Sequence, residues 1–345
     1  MKKDYYLIDY AKLFFAFCIV AIHTNLLANF NQNVSFWVTQ LVFRVGVPFF
    51  FISSGFFLGQ KLNNVDYDYQ ESKKIIFSYC KRLGVLLVVF EPVSVLFSAY
   101  TKINLGMRSF SIVIELLQEI LFYPKGALWF IQACMVGALL FLFFLKKKTK
   151  IMSIFFVSAV MYCSALFCNS YSFLIEKNIV LSHFVDLYMD VFLSTRNGFF
   201  CGLFYLMLGI LCVKLLKRMT KRQSLFFVCC FFSLYATELF FLKANGGYPS
   251  RDDFSLFIFL PCFAFFLVLL LLQFNRYSEK GSVYVRNLST GVYLLHSPIN
   301  FFVSRIVLKI LKVDNEWVFV VVSVCAVIIC VWSYKSNNKL SKYLR

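Results

Sequence analysis

Runs of about 20 apolar residues recur from one end of this chain to the other. That length matches a helix crossing the hydrocarbon core of a bilayer, so the chain is expected to be an all-α, polytopic membrane helical bundle. Composition agrees. Of the 345 residues, 60% are hydrophobic and only 15% are charged, with a mean hydropathy of +0.74, well outside the range of soluble globular domains. A formal charge of +18 invites a nucleic-acid reading. The basic residues, however, fall between the apolar runs, where they orient a chain in a membrane, so no nucleic acid is expected.

The predicted spans are 8–28, 37–59, 83–100, 127–145, 151–169, 196–213, 224–242, 254–272, 288–311 and 317–334, about ten in all. With the N-terminus inside, about 23 of the Lys and Arg residues fall in cytoplasmic segments and about seven in outer loops. An odd number of spans would put Lys146, Lys147, Lys148 and Lys150, or the cluster from Lys214 to Arg222, on the wrong side. Both termini are therefore expected in the cytoplasm, with residues 1–345 forming a single membrane domain. The first span lacks a small-x-small cleavage site and is expected to stay in the mature protein. Segments 109–122 and 179–193 are amphipathic enough to lie at the outer interface as short helices. The twelve cysteines contain no Cys-x-x-Cys pair and the three histidines are scattered. Neither a metal site nor a disulfide framework is expected.

The residues that break the apolar pattern carry the chemistry. Lys12 and His23 lie eleven positions apart on the first span. They therefore share one helix face about 16 Å apart, one shallow and one deep. Ionisable groups inside a bilayer are costly and mark substrate paths, proton relays or catalytic sites. On the second span, Arg44 precedes Pro48 and the small residues Ser53, Ser54 and Gly55, at about the depth of His23. Further on come Glu91 beside Pro92, Trp129 at the opening of the fourth span, Arg196 at the opening of the sixth, and His296 in the ninth. Arg196 is placed to hold an external anion or a sugar. Tyr171, Tyr248 and Trp317 near the outer face suit stacking on sugar rings or anchoring at the interface.

In this order and spacing the residues resemble the integral-membrane acyltransferase family 3, which includes bacterial O-acyltransferases that modify surface polysaccharides. Tyr6-Leu7-Ile8-Asp9-Tyr10-Ala11-Lys12 followed by His23 is similar to the family's Arg/Lys-x10-His element. Arg44 with Gly46-Val47-Pro48-Phe49-Phe50-Phe51 and Ser54-Gly55-Phe56 is similar to its second-helix signature. Leu128-Trp129-Phe130 and Tyr293-Leu294-Leu295-His296 also resemble family segments.

The resemblance implies a multi-pass enzyme of the bacterial cytoplasmic membrane. Its donor would be acyl-CoA, most simply acetyl-CoA, and its acceptor a hydroxyl of a cell-surface or lipid-linked carbohydrate. Such chemistry needs a base for the hydroxyl proton and positive charge for the developing oxyanion. His23 is the expected base, or else the transient carrier of the acyl group, with Arg44 beside it and Asp9 pairing with Lys12 or fixing its position. Lys12 would attract a CoA phosphate, with Ser54 and Trp129 on the donor side, although lysine lacks the planar fork that arginine offers a phosphate. Glu91, Arg196 and His296 are expected to support substrate. The alternative is a proton-coupled transporter or flippase of a polysaccharide precursor, with His23, Glu91 and His296 as its proton path.

Overall fold

The computed structural model describes residues 5–245, 254–274, 282–305 and 314–336. Among these residues the chain is all-α, with no strand. In chain order the α-helices are α1 (Tyr6–His23), α2 (Gln32–Leu41), α3 (Gly46–Asn63), α4 (Tyr69–Asn104), α5 (Ser109–Phe122), α6 (Leu128–Lys146), α7 (Ile151–Leu166), α8 (Ile179–Phe192), α9 (Leu203–Leu215), α10 (Lys221–Ala244), α11 (Leu260–Gln273), α12 (Ser282–Val303) and α13 (Asn315–Lys335). Seven helical segments among the described residues are long and apolar enough to cross a membrane, and α7 and α11 are shorter apolar helices. Helix α12 spans 22 residues and carries Arg286, His296 and Asn300 along its length. Each predicted span overlaps a helix among the described residues, with 306–311 of the ninth lying outside them, and α5 and α8 fall on the two segments expected at the interface.

The differences from the predicted spans have local causes. The second span is broken: α2 ends at Leu41, residues Phe43–Val45 form a 3-10 turn, and α3 restarts at Gly46. Pro48 has no N–H to give the carbonyl four residues back, and proline sits best in the first turn of a helix, where that N–H has no partner anyway, so the restart lies where Pro48 fits. Helix α4 begins fourteen residues before its predicted span, because the Asp68 side chain accepts from the N–H groups of Gln70 and Glu71 and starts the helix in polar sequence. Helix α11 begins six residues late. Segment 254–259 is irregular, and side chains satisfy its backbone: Asn169 Oδ1 accepts from Ser255 and Leu256 N–H, and the Glu238 carboxylate from Ile258 and Phe259 N–H. Irregular backbone in a membrane protein persists only with such partners.

The chain divides into two compact units, one of residues up to Phe50 together with those from Val268 onward, the other Phe51–Leu267. In the first unit, α1 packs chiefly on α12. The Arg286 guanidinium grips Asp9 with both arms, Nε to Oδ1 at 3.1 Å and Nη2 to Oδ2 at 3.0 Å. At the other end of α1, Asn300 Nδ2 donates to the His23 carbonyl at 2.9 Å. Both contacts join residues 277 apart in sequence. Helices α1 and α12 therefore run parallel and in register for fourteen residues, about 21 Å. Helix α13 returns antiparallel, with Tyr334 against Tyr284 and Asp314 hydrogen-bonded to Asn29.

In the second unit, glycines set the closest approaches. A Cβ on Gly209 of α9 would lie 2.2 Å from the Ile52 carbonyl of α3, and one on Gly55 2.5 Å from the Leu206 carbonyl. Only glycine lets these two backbones meet. A π-helical turn, Gly198–Gly202, leads into α9, and a Cβ on Gly202 would lie 2.1 Å from the Ala133 carbonyl of α6. Helices α5 and α8 pack together through Phe122 and Phe192, and Gln118 donates to the Asp190 carbonyl. Phe110, Leu117 and Leu121 on α5 and Ile179, Phe184 and Leu187 on α8 are exposed, which leaves each helix an apolar outer face.

Candidate functional site

In the first unit the two histidines of the apolar spans meet. His23 is the last residue of α1 and is exposed, whereas His296, inside α12, is completely buried. Their ring centroids are 5.1 Å apart with planes inclined at 32°. The predicted spans put His296 nearer the cytoplasmic side than His23. The structure sets them side by side, because α12 starts at Ser282 rather than at 288 and so carries His296 further along.

The tautomer of His296 follows from its partner. Its Nδ1 lies 2.6 Å from the Tyr293 carbonyl oxygen, which only accepts, so Nδ1 carries the hydrogen. In the neutral ring Nε2 is then a lone-pair acceptor. That atom is buried and has no hydrogen-bond partner. A base oriented by a backbone carbonyl and set beside a second nucleophilic side chain is the arrangement that group-transfer enzymes use.

The other predicted residues of this unit lie along the same helix pair. Lys12 is half-buried on α1, eleven residues before His23. The bidentate partner of buried Asp9 is Arg286 of α12, so Asp9 ties α1 to α12 three residues before Lys12. Arg44 is half-buried in the 3-10 turn that packs on α1, and Phe15 and Phe49 press together just beyond it with centroids 4.7 Å apart.

The remaining predicted residues belong to the second unit. Arg196 and Trp129, separate in sequence, come together there. The Arg196 guanidinium lies 5.7 Å from the Trp129 ring centroid and 5.2 Å from that of Tyr123, and the two rings stack 5.9 Å apart. Cation–π attraction and a hydrogen bond from Arg196 Nε to Ser194 Oγ orient the guanidinium. Asn197 fastens the neighbouring loop, capping the π turn through the N–H groups of Phe199 and Phe200 and donating to the Tyr188 hydroxyl. The Ser54 hydroxyl shares a 2.8 Å hydrogen bond with that of Tyr79. Glu91 Oε2 is buried with no hydrogen-bond partner and is within electrostatic reach of Glu119. Glu119 is itself buried, in an ion-pair cluster with Lys102 at 2.8 Å and Lys125 at 3.4 Å.

Sequence reasoning missed Arg286, Asn300 and Tyr123. Asn300 had a signal: it lies four residues after His296 and so on the same helix face. Arg286 fell in what was read as the loop before the ninth span. Of the aromatic residues predicted near the outer face, Tyr171 donates to the Glu238 carboxylate at 2.6 Å and Trp317 is exposed, while Tyr248 lies outside the described residues. Among the described residues no cluster of three or more histidine, cysteine or acidic side chains is placed to hold a metal ion.

These features define a class, a multi-pass all-α membrane protein with a pair of imidazoles at the end of its first helix. Residues 5–335 match the family model described as an acyltransferase domain, and the chain belongs to that family, the integral-membrane acyltransferase family 3. It is similar to two proteins of Enterococcus faecalis named amino-acid racemase, at 30% identity over 60% of this chain and 28% of the relative, and at 26% over 96% and 46%. It is also similar to the serine/alanine racemase of Enterococcus gallinarum, at 28% identity over 84% of this chain and 40% of the relative. The chain thus spans less than half the length of each of these curated relatives. No solved structure matches it significantly.

Proposed function

We propose that this protein is a membrane O-acyltransferase. It moves an acyl group, most simply acetyl, from cytoplasmic acyl-CoA to a hydroxyl of a cell-surface or lipid-linked carbohydrate, in the cytoplasmic membrane of a bacterium. The observation that carries this reading is the contact of His23 with His296, at the end of a helix whose other basic group, Lys12, lies eleven residues earlier. An exposed imidazole beside a buried one of fixed tautomer provides a nucleophile or base with its partner. Lys12, about 16 Å along the same face, is set to attract a CoA phosphate while the pantetheine arm reaches toward His23. The parallel course of α1 and α12 and the antiparallel α13 are consistent with both termini on one side of the membrane, which the charge pattern assigns to the cytoplasm. Within the second unit, the stack of Tyr123, Arg196 and Trp129 suits a sugar ring or an anionic group.

The test is direct. Purified protein given labelled acetyl-CoA should cleave the thioester and pass label to a glycan-containing fraction. His23→Ala should abolish transfer while the protein remains in the membrane, and normal product from that variant would overturn the assignment. The transport reading draws on another observation, the buried Glu91 carboxylate oxygen near Glu119. Proton-coupled flux of a polysaccharide precursor without thioester loss would favour it.

A further inference from the structure

Two acceptor atoms adjoin the histidine pair, and neither has a donor. One is His296 Nε2. The other is Asn300 Oδ1, whose identity is fixed because the amide's nitrogen donates to the His23 carbonyl. Both atoms are buried without a hydrogen-bond partner. His296 and Asn300 are four residues apart on α12, hence on one face, and both engage His23, one by ring contact and one through its carbonyl. Pro298 sits between them and has no N–H to offer. Buried polar atoms in folded proteins find partners. Two neighbouring acceptors with no internal donor call for a ligand that brings two hydrogens.

We propose that His296 Nε2 and Asn300 Oδ1 form the acceptor-binding site, taking two neighbouring O–H groups such as a vicinal diol of a sugar ring, with His296 receiving the proton of the hydroxyl to be acylated while His23 carries the acyl group. This rests on the acyltransferase reading and adds to it a division of labour and a substrate geometry. In the first step a ring nitrogen of His23 attacks the thioester carbonyl carbon. The carbon–sulfur bond breaks, and the CoA thiolate leaves with the proton shed by the acylated ring. In the second step the acceptor oxygen attacks the acyl carbon as its proton passes to His296 Nε2. The carbon–nitrogen bond to His23 breaks, and His296 returns its proton to the departing imidazole nitrogen. Both histidines end neutral, and the products are CoA and the ester. Asn300 takes no proton; it holds the second hydroxyl.

The full-length protein is charged with radiolabelled acetyl-CoA, rapidly quenched to count label on His23, then discharged with glycerol, a vicinal triol, or with 1,3-propanediol, whose hydroxyls are not adjacent. Glycerol should discharge the wild type about tenfold faster than propanediol, reflecting the second hydrogen bond. His296→Gln should still accumulate label on His23 and discharge it about 100-fold more slowly to either alcohol, as expected for loss of a general base. Asn300→Leu should still accumulate label and lose the preference for glycerol. Equal discharge to both alcohols by the wild type, normal discharge by His296→Gln, or failure of that variant to charge would each overturn the proposal. If His296→Gln does not fold, retention of the glycerol preference by Asn300→Leu is still decisive against it. Failure of the wild type to cleave acetyl-CoA would instead remove the acyltransferase reading beneath it.

Discussion

Asp9 shows how one residue joins stability to function. Its carboxylate is buried against the Arg286 fork, while Arg286 is 40% exposed. Breaking a buried charge pair from one side costs about 3–5 kcal/mol, and the exposure of Arg286 lowers that here because the freed guanidinium reaches water. Asp9→Asn should therefore destabilise the protein by about 2 kcal/mol, read as a lower unfolding midpoint in detergent. Arg286→Lys alone should cost less, since lysine keeps the charge although it loses the bidentate fork. Lys12→Ala should instead raise the KM for acyl-CoA about tenfold at nearly constant kcat; unchanged donor affinity would move the phosphate site elsewhere. Lys12, His23 and His296 were legible in the sequence because an ionisable residue in an apolar run is conspicuous. Arg286 was not, and the place of Asn300 one turn after His296 marked a shared face but not its partner. Their meaning lies in partners 277 residues away, and no periodicity within one helix carries that information.

At the scale of elements, the glycines separate contacts that tolerate no side chain from those that do. Gly209→Ala would drive a Cβ into the Ile52 carbonyl at 2.2 Å and force α3 and α9 apart, so a loss of about 3 kcal/mol and poor expression are expected. At Gly84 on α4 a Cβ meets only the flexible end of Met135 at 3.6 Å. Gly84→Ala should stabilise by about 0.5–1 kcal/mol through helix propensity alone. Thermal unfolding of the two variants checks both signs. The helices themselves were largely foreseeable, since apolar length fixes them. Their starts were less so, because a start depends on which polar group serves the first N–H groups. Asp68 starts α4 early. Segment 254–259 stays irregular because Asn169 and Glu238, distant in sequence, satisfy its backbone.

For the whole molecule, the charge pattern predicts sidedness. Single cysteines introduced at Lys147 and Lys217 of a cysteine-free variant should react with a membrane-impermeant thiol reagent only from the cytoplasmic side, and one at Glu176 only from outside. The opposite pattern would invert the topology and with it the proposed direction of acyl flow. The paired helices α1 and α12 also have a consequence for biosynthesis. At about 5–20 residues per second, a ribosome needs roughly 14–55 s to reach Arg286 after finishing Asp9. For that interval the first helix sits in the bilayer with an acidic group whose partner does not yet exist. The nascent chain must be held by the insertion machinery until the ninth span arrives. Truncations that stop short of residue 286 should accordingly leave a first helix that inserts poorly and is rapidly degraded.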